Sequence, residues 1–322
     1  MQQRLVVWTD NGAAQLAAVL APFDIRVQVT SERKDALASL ADADILIALA
    51  QNWGADCSAA LAASKVHWVQ FLNAGIDSVT RFGLPKRTTA TTFGGAGAFI
   101  VAEHALQLLL ALLRRTPVLL AAQQRGEWAP QPTASTIECL HGQRVAVLGA
   151  GPIGRAIAGL VLAFGARPIC VARTARRDPN GFDVAAITQI GDVLSQCAAV
   201  VVALPLDADT DQLLDAALLA HLPRGAVLVN VSRGRIVVTG ALVAALRSGA
   251  LAGAGLDVTD PEPLPKDHPL WQLPNVIITP HIAWAGAVEE RRQAVEAVVL
   301  DNMRRYLAGE ALLHVAHAGT ER

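Results

Sequence analysis

The stretch Arg144-Val-Ala-Val-Leu-Gly-Ala-Gly-Pro-Ile-Gly154 decides the fold of this chain. It opens with a short apolar run, passes through the pattern G-x-G-x-x-G, and continues into an apolar segment with helical periodicity that ends near Phe164. In this context the pattern predicts a strand, a tight turn and a helix N-terminus that binds the pyrophosphate of a dinucleotide. We therefore predict a Rossmann coenzyme domain. Its candidate cofactor-binding residues here are Gly149, Gly151, Pro152, Ile153 and Gly154.

Apolar segments on both sides of this turn predict two α/β units, each with a parallel sheet. Six strands are predicted in the coenzyme unit, namely Arg144–Leu148, Pro168–Ala172, Ala199–Ala203, Ala226–Asn230, Gly253–Asp257 and Val276–Thr279. Five are predicted before residue 100, in a flavodoxin-like unit, namely Leu5–Trp8, Ile25–Val29, Ile45–Ala48, Trp68–Leu72 and Thr89–Thr92. An amphipathic helix after Trp284 is expected to return to this first unit. We therefore expect a substrate domain of residues 1–99 plus 288–322, with the coenzyme domain, residues 100–287, inserted into it.

Composition favours a globular protein that acts on small molecules. Of 322 residues, 52% are hydrophobic and 17% charged, and the net charge is −1, which leaves no bulk charge for binding nucleic acid or a membrane surface. No apolar run has the length or flanks of a signal peptide or a membrane span, so we expect a cytoplasmic location. The four cysteines form no CxxC pair, and we expect no metal site.

Three residues that follow predicted strands carry the chemistry. Arg233 lies in Asn230-Val-Ser-Arg-Gly234, Glu262 in Asp257-Val-Thr-Asp-Pro-Glu-Pro-Leu264, and His281 in Thr279-Pro-His-Ile-Ala283. An arginine can hold a carboxylate, a histidine can pass a proton at neutral pH, and a glutamate can orient that histidine. Together with a hydride carrier they predict reduction of a 2-oxo acid. A surface ion pair remains the alternative for Arg233 and Glu262, and the other seven histidines, His104 among them, are read as packing residues.

The residues after the second predicted strand of the coenzyme domain bear on cofactor choice. An acid at this place normally binds the ribose 2′-hydroxyl of NAD, but the chain has Arg173-Thr-Ala-Arg-Arg177 instead. Arg173, Thr174 and Arg176 can take up the 2′-phosphate, so we predict that NADP(H) is preferred and that NAD(H) is possible. A solvated basic loop is the alternative.

Several spaced blocks resemble the D-isomer-specific 2-hydroxyacid dehydrogenases across nearly the full length of the chain. Besides the glycine turn and the three site motifs, they are Phe71-Leu-Asn-Ala-Gly-Ile-Asp77 and Val101-Ala-Glu-His-Ala105. Within the family the chain looks closest to the glyoxylate/hydroxypyruvate reductase A branch, because Val171-Ala-Arg-Thr-Ala-Arg176 resembles the basic NADP loop of that branch. The resemblance implies reduction of glyoxylate, hydroxypyruvate or similar 2-oxo acids to D-2-hydroxy acids.

The resemblance also implies a role for individual residues. Arg233 would pair with the substrate carboxylate and polarise the C2 carbonyl, and backbone N–H groups of Ala74 and Gly75 would hold the same carboxylate. His281 would protonate the carbonyl oxygen, and Glu262 would favour its protonated form. Asp257 would face the nicotinamide carboxamide, and Pro205 is a further cofactor-binding candidate. The family forms homodimers through the coenzyme domain, for which Ala105–Leu113 and Pro117–Ala122 are the expected contact surface.

Departures from the family pattern leave the substrate open. Trp53, Asn73 and Trp284 are candidate substrate-binding residues that shape the pocket, with core packing as the alternative for both tryptophans. A different class of function is a nucleotide-sensing interaction protein, because the family includes corepressors with this fold. The complete set of Arg233, Glu262 and His281, together with the absence of a long basic tail, favours the enzyme.

Overall fold

The computed structural model describes residues 2–9, 12–73, 75–128, 136–286, 288–317 and 319. These residues fall into two compact units, the first bounded by Met1–Gly97 and Ala287–Arg322 and the second by Ala98–Gly286. The first unit is therefore assembled from two separate stretches of the chain, and the second unit is encoded between them.

Fourteen β-strands and eleven α-helices occur among the described residues. The strands are β1 (Gln3–Trp8), β2 (Ile25–Thr30), β3 (Ile45–Ala48), β4 (Trp68–Phe71), β5 (Thr89–Thr91), β6 (Arg144–Leu148), β7 (Arg167–Ala172), β8 (Arg176–Arg177), β9 (Asp183–Ala186), β10 (Ala199–Val202), β11 (Ala226–Asn230), β12 (Leu251–Leu256), β13 (Val276–Ile278) and β14 (Val315–His317). The helices are α1 (Ala13–Leu20), α2 (Arg33–Ser39), α3 (Ala55–Ala63), α4 (Asp77–Phe82), α5 (Ala98–Leu113), α6 (Thr116–Gln124), α7 (Pro152–Ala163), α8 (Ile190–Leu194), α9 (Ala216–Leu219), α10 (Thr239–Arg247) and α11 (Val288–Ala308).

The sheet of the first unit has the order β14-β5-β4-β3-β1-β2. Its first five strands in the chain run parallel in the flavodoxin-like order, so the predicted fold class is confirmed. The sixth strand, β14, was not predicted and pairs antiparallel with β5. Val6 and Trp8 enter the core on one face and Leu5 and Val7 the core on the other, because successive side chains of a strand point to opposite faces.

The sheet of the second unit has the order β13-β12-β11-β10-β6-β7-β9-β8. Counted from β6, the parallel strands β9-β7-β6-β10-β11-β12 follow the Rossmann order 3-2-1-4-5-6, which confirms the predicted fold. The predicted count of six strands is wrong, because β8 and β9 were missed and the sheet has eight strands. Both lie in a polar stretch, and of the four residues of β9 only Val184 is buried, so no apolar run marks them.

Helix α5 belongs to the core of the second unit. Nine of its sixteen residues are buried, and it packs against α7, β11 and β12. Most apolar side chains of Ala105–Leu113 fill the core of their own unit, and the contact between subunits predicted for this segment stays a prediction. Among the described residues no single helix is long and apolar enough to cross a membrane, and only the pair α5 and α6, bent by 66°, passes that test together.

Candidate active site

The three predicted catalytic residues follow three neighbouring strands of the second sheet. Arg233 lies after β11, Glu262 after β12 and His281 after β13, and these strands are parallel and adjacent. Asn230 pairs with Leu256, and Leu256 with Ile278, so the three strands end at the same level. Their loops therefore leave one edge of the sheet, which is where open α/β sheets bind ligands.

His281 and Glu262 are in direct contact. The distance from His281 Nδ1 to Glu262 Oε1 is 2.6 Å, and the two side chains are 50% and 42% exposed. The second carboxylate oxygen, Oε2, accepts from the backbone N–H of Thr259 at 3.3 Å, which fixes the carboxylate. Because a carboxylate only accepts hydrogen bonds, Nδ1 is the donor, and Nε2 is the second ring nitrogen through which a proton can be exchanged. This is the arrangement of a histidine prepared to exchange a proton through Nε2.

The loop that carries Arg233 packs against the segment that leads to Glu262. A Cβ atom added to Gly234 would lie 2.0 Å from the carbonyl carbon of Thr259 and 2.6 Å from the backbone nitrogen of Asp260. Only a glycine permits this approach of two backbones. The side-chain amide of Asn230 donates to the Arg233 carbonyl at 2.9 Å, and one guanidinium nitrogen of Arg233 donates to the Ser232 carbonyl at 2.6 Å. Neither Gly234 nor Asn230 was among the predicted site residues.

Asp257 lies beneath the loop of His281. Its side chain is 1% exposed, and it accepts hydrogen bonds from the Thr279 hydroxyl at 2.6 Å and from the backbone N–H groups of Ile282 and Ala283, both at 2.9 Å. These contacts were not foreseen from the sequence. The predicted contact of Asp257 with a nicotinamide carboxamide stays a prediction.

A cleft of about 650 Å³ opens at the carboxyl ends of β6, β7 and β10. Of the predicted cofactor residues it is lined by Gly149, Gly151, Arg173, Thr174, Arg176 and Pro205. Pro152, Ile153 and Gly154 form the first turn of α7 behind this lining. Ile187 and Thr188 also line the cleft and were missed in the sequence, because they follow the unpredicted strand β9.

The glycine turn fits a dinucleotide. Gly149 has φ +116°, and a Cβ atom there would lie 2.5 Å from the Ala203 carbonyl oxygen. A Cβ atom on Gly154 would lie 2.0 Å from the Gly149 carbonyl oxygen, whereas one on Gly151 would meet no atom within 4 Å. Gly149 and Gly154 therefore serve the turn itself, and the open space at Gly151, in front of the N-terminus of α7, is where a phosphate can approach the backbone.

The basic loop reaches the cleft with its charges partly engaged. One guanidinium nitrogen of Arg173 lies 3.0 Å from Asp207 Oδ2, and the Arg173 side chain is 79% exposed. Burial raises the pKa of Asp207, but hydrogen bonds from the Thr210 hydroxyl and from backbone N–H groups outweigh it, so this pKa lies below its ordinary value. Asp207, which follows Pro205 after β10, was not among the residues predicted for the site. A 2′-phosphate at Arg173 would have to share this arginine with Asp207.

The predicted substrate-binding residues are divided between the units. Trp53 is 4% exposed in the first unit, where its ring meets the Phe71 ring edge-on at 5.4 Å and its indole N–H donates to Ser58 at 3.1 Å. The Asn73 side chain accepts from the Ala50 N–H at 2.9 Å and donates to the Gly75 carbonyl at 3.3 Å. Trp284 packs, partly buried, on a core of the second unit. Ala74 lies outside the described residues. Substrate binding by these residues stays a prediction.

The fold, the cleft and the His281–Glu262 contact define a dinucleotide-dependent oxidoreductase. A family model for the NAD-binding domain of D-isomer specific 2-hydroxyacid dehydrogenases matches residues 106–283. The glyoxylate reductase/hydroxypyruvate reductase of Mus musculus is 32% identical over 254 residues, which are 78% of this chain and 77% of that protein. The chain belongs to the D-isomer specific 2-hydroxyacid dehydrogenase family.

Solved structures agree with this assignment over almost the whole chain. A D-isomer specific 2-hydroxyacid dehydrogenase from Xanthobacter autotrophicus Py2, in complex with NADPH and MES, has a TM-score of 0.79 and 30% identity, covering 98% of each chain. An NADPH-dependent glyoxylate/hydroxypyruvate reductase from Sinorhizobium meliloti, in complex with NADP and sulfate, has a TM-score of 0.83 and 25% identity, also covering 98% of each chain.

Proposed function

We propose that this protein reduces small 2-oxo acids, such as glyoxylate or hydroxypyruvate, to D-2-hydroxy acids with NADPH. In the overall reaction the oxo acid, NADPH and one proton give the hydroxy acid and NADP⁺. The observation that carries the proposal is the 2.6 Å contact between His281 and Glu262. The two residues lie on loops that follow β12 and β13, at the same edge of the sheet as the cofactor cleft. The names of the relatives from mouse and Sinorhizobium meliloti support this substrate class.

His281 supplies the proton. Glu262 accepts from Nδ1 at 2.6 Å, so Nε2 carries the proton that is transferred to the carbonyl oxygen of the substrate. The hydrogen bond to Glu262 holds the orientation of the ring. In the oxidation of a hydroxy acid the same nitrogen takes the proton back.

Arg233 binds the carboxylate of the substrate. Its planar guanidinium matches a carboxylate with two parallel hydrogen bonds, and its charge also polarises the neighbouring carbonyl group. Support comes from the loop, which Asn230 and the close packing of Gly234 hold at the same sheet edge as His281. An oxo acid with a free carboxylate is therefore a better substrate than its ester or a simple ketone.

NADPH supplies the hydride when it is bound, and the chain holds it through the glycine turn and the basic loop. Gly149 and Gly151 line the cleft, with open space in front of the backbone at Gly151, and Arg173, Thr174 and Arg176 present donors for the 2′-phosphate. The NADPH in the Xanthobacter structure and the NADP in the Sinorhizobium structure support this preference. NAD(H) remains a weaker alternative cofactor, because no carboxylate in the basic loop Arg173-Thr-Ala-Arg-Arg177 is available to its 2′-hydroxyl.

A homodimer is part of the proposal, with contacts through α6 of the second unit. Val118, Leu119 and Leu120 on this helix are 39%, 42% and 51% exposed, and Trp128 beyond it is 98% exposed. Contiguous exposed apolar side chains of this kind mark interaction surfaces. Light scattering of the purified protein tests the proposal. A dimer that dissociates in the Leu120→Asp variant supports it, and a monomeric wild type contradicts it.

The decisive assay follows NADPH oxidation by absorbance with a panel of glyoxylate, hydroxypyruvate, larger 2-oxo acids and their esters. We expect turnover of the free acids, little with the esters, and kcat/KM at least about tenfold higher with NADPH than with NADH, equivalent to about 1.4 kcal/mol. Analysis of the product with a chiral column should give the D isomer. Absence of turnover over the whole panel with either cofactor would contradict the proposed function.

A further inference from the structure

The backbone of His281 is in a conformation that needs support. Its φ is +54°, in the left-handed region that few residues other than glycine adopt. The His281 N–H donates to the carbonyl oxygens of Asp257, at 2.8 Å, and of Thr279, at 3.0 Å, which closes a tight turn. The direction of the imidazole therefore depends on what holds this turn.

The carboxylate of Asp257 holds the same turn from the other side. Its Oδ1 accepts from the Thr279 hydroxyl and from the N–H of Ile282, and its Oδ2 accepts from the N–H of Ala283. The buried side chain of Asp257 thus fixes the side chain two positions before His281 and the backbone of the two residues that follow it. An asparagine could not replace it, because its NH₂ group would face one of these donors.

Thr279 connects this carboxylate to a third residue. The Thr279 hydroxyl has a single proton, which goes to Asp257 at 2.6 Å, so its oxygen must accept from His104 Nε2 at 3.0 Å. His104 therefore carries a proton on Nε2, which also lies 3.4 Å from Asp257 Oδ1. The His104 side chain is 17% exposed and comes from α5, the helix that anchors the core of this unit.

We propose that Asp257, Thr279 and His104 form a positioning network that sets the angle of His281 against Glu262. The inference rests on the proposed function, in which His281 transfers the proton. None of the three needs to touch the substrate, because they act through the turn. A displacement of about 1 Å at a reacting group can lower turnover on the order of a hundredfold, so a small relaxation of this turn is sufficient to be measured.

A positioning role of Asp257 and a contact of Asp257 with the coenzyme predict different kinetic effects. If Asp257 served mainly to bind the carboxamide of the coenzyme, loss of the Thr279 hydroxyl would leave that contact in place, and any loss on changing Asp257 would appear in NADPH affinity. Among the described residues, Oδ1 accepts from two donors and Oδ2 from one, and all three donors belong to the turn of His281. A positioning role predicts that kcat falls and that the Kd for NADPH does not change.

The test compares Thr279→Val, Thr279→Ser, His104→Phe and the double variant that combines Thr279→Val with His104→Phe. We expect Thr279→Val to lower kcat for glyoxylate about tenfold, with the Kd for NADPH, measured by fluorescence, unchanged within about twofold. Thr279→Ser keeps the hydroxyl and should recover most of kcat. Since His104 acts through Thr279, the double variant should lose no more than Thr279→Val alone.

Thr88→Val is the matched control, because Thr88 is a fully buried threonine of the first unit whose hydroxyl donates to the Val66 carbonyl at 3.1 Å. It should lower thermal stability without changing kcat. An unchanged kcat in Thr279→Val, or a loss of the same size in Thr88→Val, overturns the proposal. So does a loss in Thr279→Val that lies entirely in the affinity for NADPH.

A second measurement does not depend on activity. In protein with isotope-labelled histidine, NMR should show His281 with its proton on Nδ1, bonded to Glu262, and this signal should shift or broaden in Thr279→Val but not in Thr88→Val. If the wild type reduces no 2-oxo acid, the proposed function fails while this readout still tests the network. An identical His281 signal in wild type and Thr279→Val overturns the network alone.

Discussion

Two turns at the same edge of the second sheet each contain a residue with positive φ, and the two turns accommodate it by different means. In the cofactor turn the residue with positive φ is Gly149, at +116°, and in the catalytic turn it is His281, at +54°. Glycine adopts such angles without cost, whereas another residue is destabilised by about 1 kcal/mol or more unless its surroundings hold it. The cofactor turn is thus specified by its own residues. The catalytic turn is specified by Asp257, Thr279 and His104, which lie up to 177 positions away in the sequence, since 281 − 104 = 177.

Of the substitutions in the two turns, replacement of His281 in the catalytic turn should have the largest effect, which is a loss of kcat. His281→Gln should lower kcat on the order of 10²- to 10⁴-fold, because the proton donor is lost, while the Kd for NADPH stays near that of the wild type. Steady-state kinetics and a fluorescence titration measure the two quantities. His67→Gln, at an exposed position of the first unit, is the control and should match the wild type. A residual kcat within tenfold of wild type would remove His281 from the mechanism.

Breaking the cofactor turn should have the next largest effect and the opposite signature. Gly154→Ala would bring Cβ within 2.0 Å of the Gly149 carbonyl oxygen, so the turn must move. We expect the Kd for NADPH to rise about a hundredfold, equivalent to about 2.7 kcal/mol. Calorimetric titration measures this, with circular dichroism to confirm that the variant folds. NADPH binding as tight as in the wild type would mean that the turn yields without loss.

Changing the basic loop sharpens the account of the cofactor half. Arg173→Asp removes a donor for the 2′-phosphate and places a second carboxylate beside Asp207, so the NADPH/NADH ratio of kcat/KM should fall about tenfold or more. The control is Arg177→Asp, whose wild-type side chain pairs with Asp183 and is absent from the cleft lining. An unchanged ratio in Arg173→Asp, or an equal fall in both variants, would refute the assignment of Arg173.

The smallest effect is expected at a glycine of α7 that takes no part in the cofactor turn. Gly159 lies in α7, on the same helix as Gly154, and a Cβ atom there would meet nothing within 4 Å. Gly159→Ala should therefore raise the free energy of unfolding by about 0.5–1 kcal/mol, because alanine favours helix. Denaturant unfolding measures it, and NADPH binding should not change. Destabilisation would show that this face of α7 has no room for a methyl group.

The sequence predicted what is encoded locally. The glycine pattern after an apolar strand predicted the Rossmann sheet, and alternating apolar strands predicted the flavodoxin-like sheet, because both depend on residues close together in the chain. Strands β8 and β9 escaped prediction, since β9 buries one side chain and is held mainly by its pairing with β7. These two strands therefore depend on pairing with neighbouring strands and not on an apolar pattern of their own.

The site was predicted in part for the same reason. The motifs of Glu262 and His281 were recognised, and the structure brings these two residues together. The supports of the turn were not recognised: His104 was read as a packing residue, and Asp257 as a contact of the coenzyme. A hydrogen bond such as that between His104 and Thr279 joins residues 175 positions apart and leaves no periodic pattern in the sequence.

The most direct test of the central claim is the kcat of Glu262→Gln for reduction of glyoxylate by NADPH. Glutamine keeps the size and one acceptor oxygen of Glu262 but removes the negative charge beside Nδ1 of His281. If Glu262 prepares His281 for proton transfer, kcat should fall about tenfold to a hundredfold while the Kd for NADPH is unchanged. A kcat equal to that of the wild type would contradict the account.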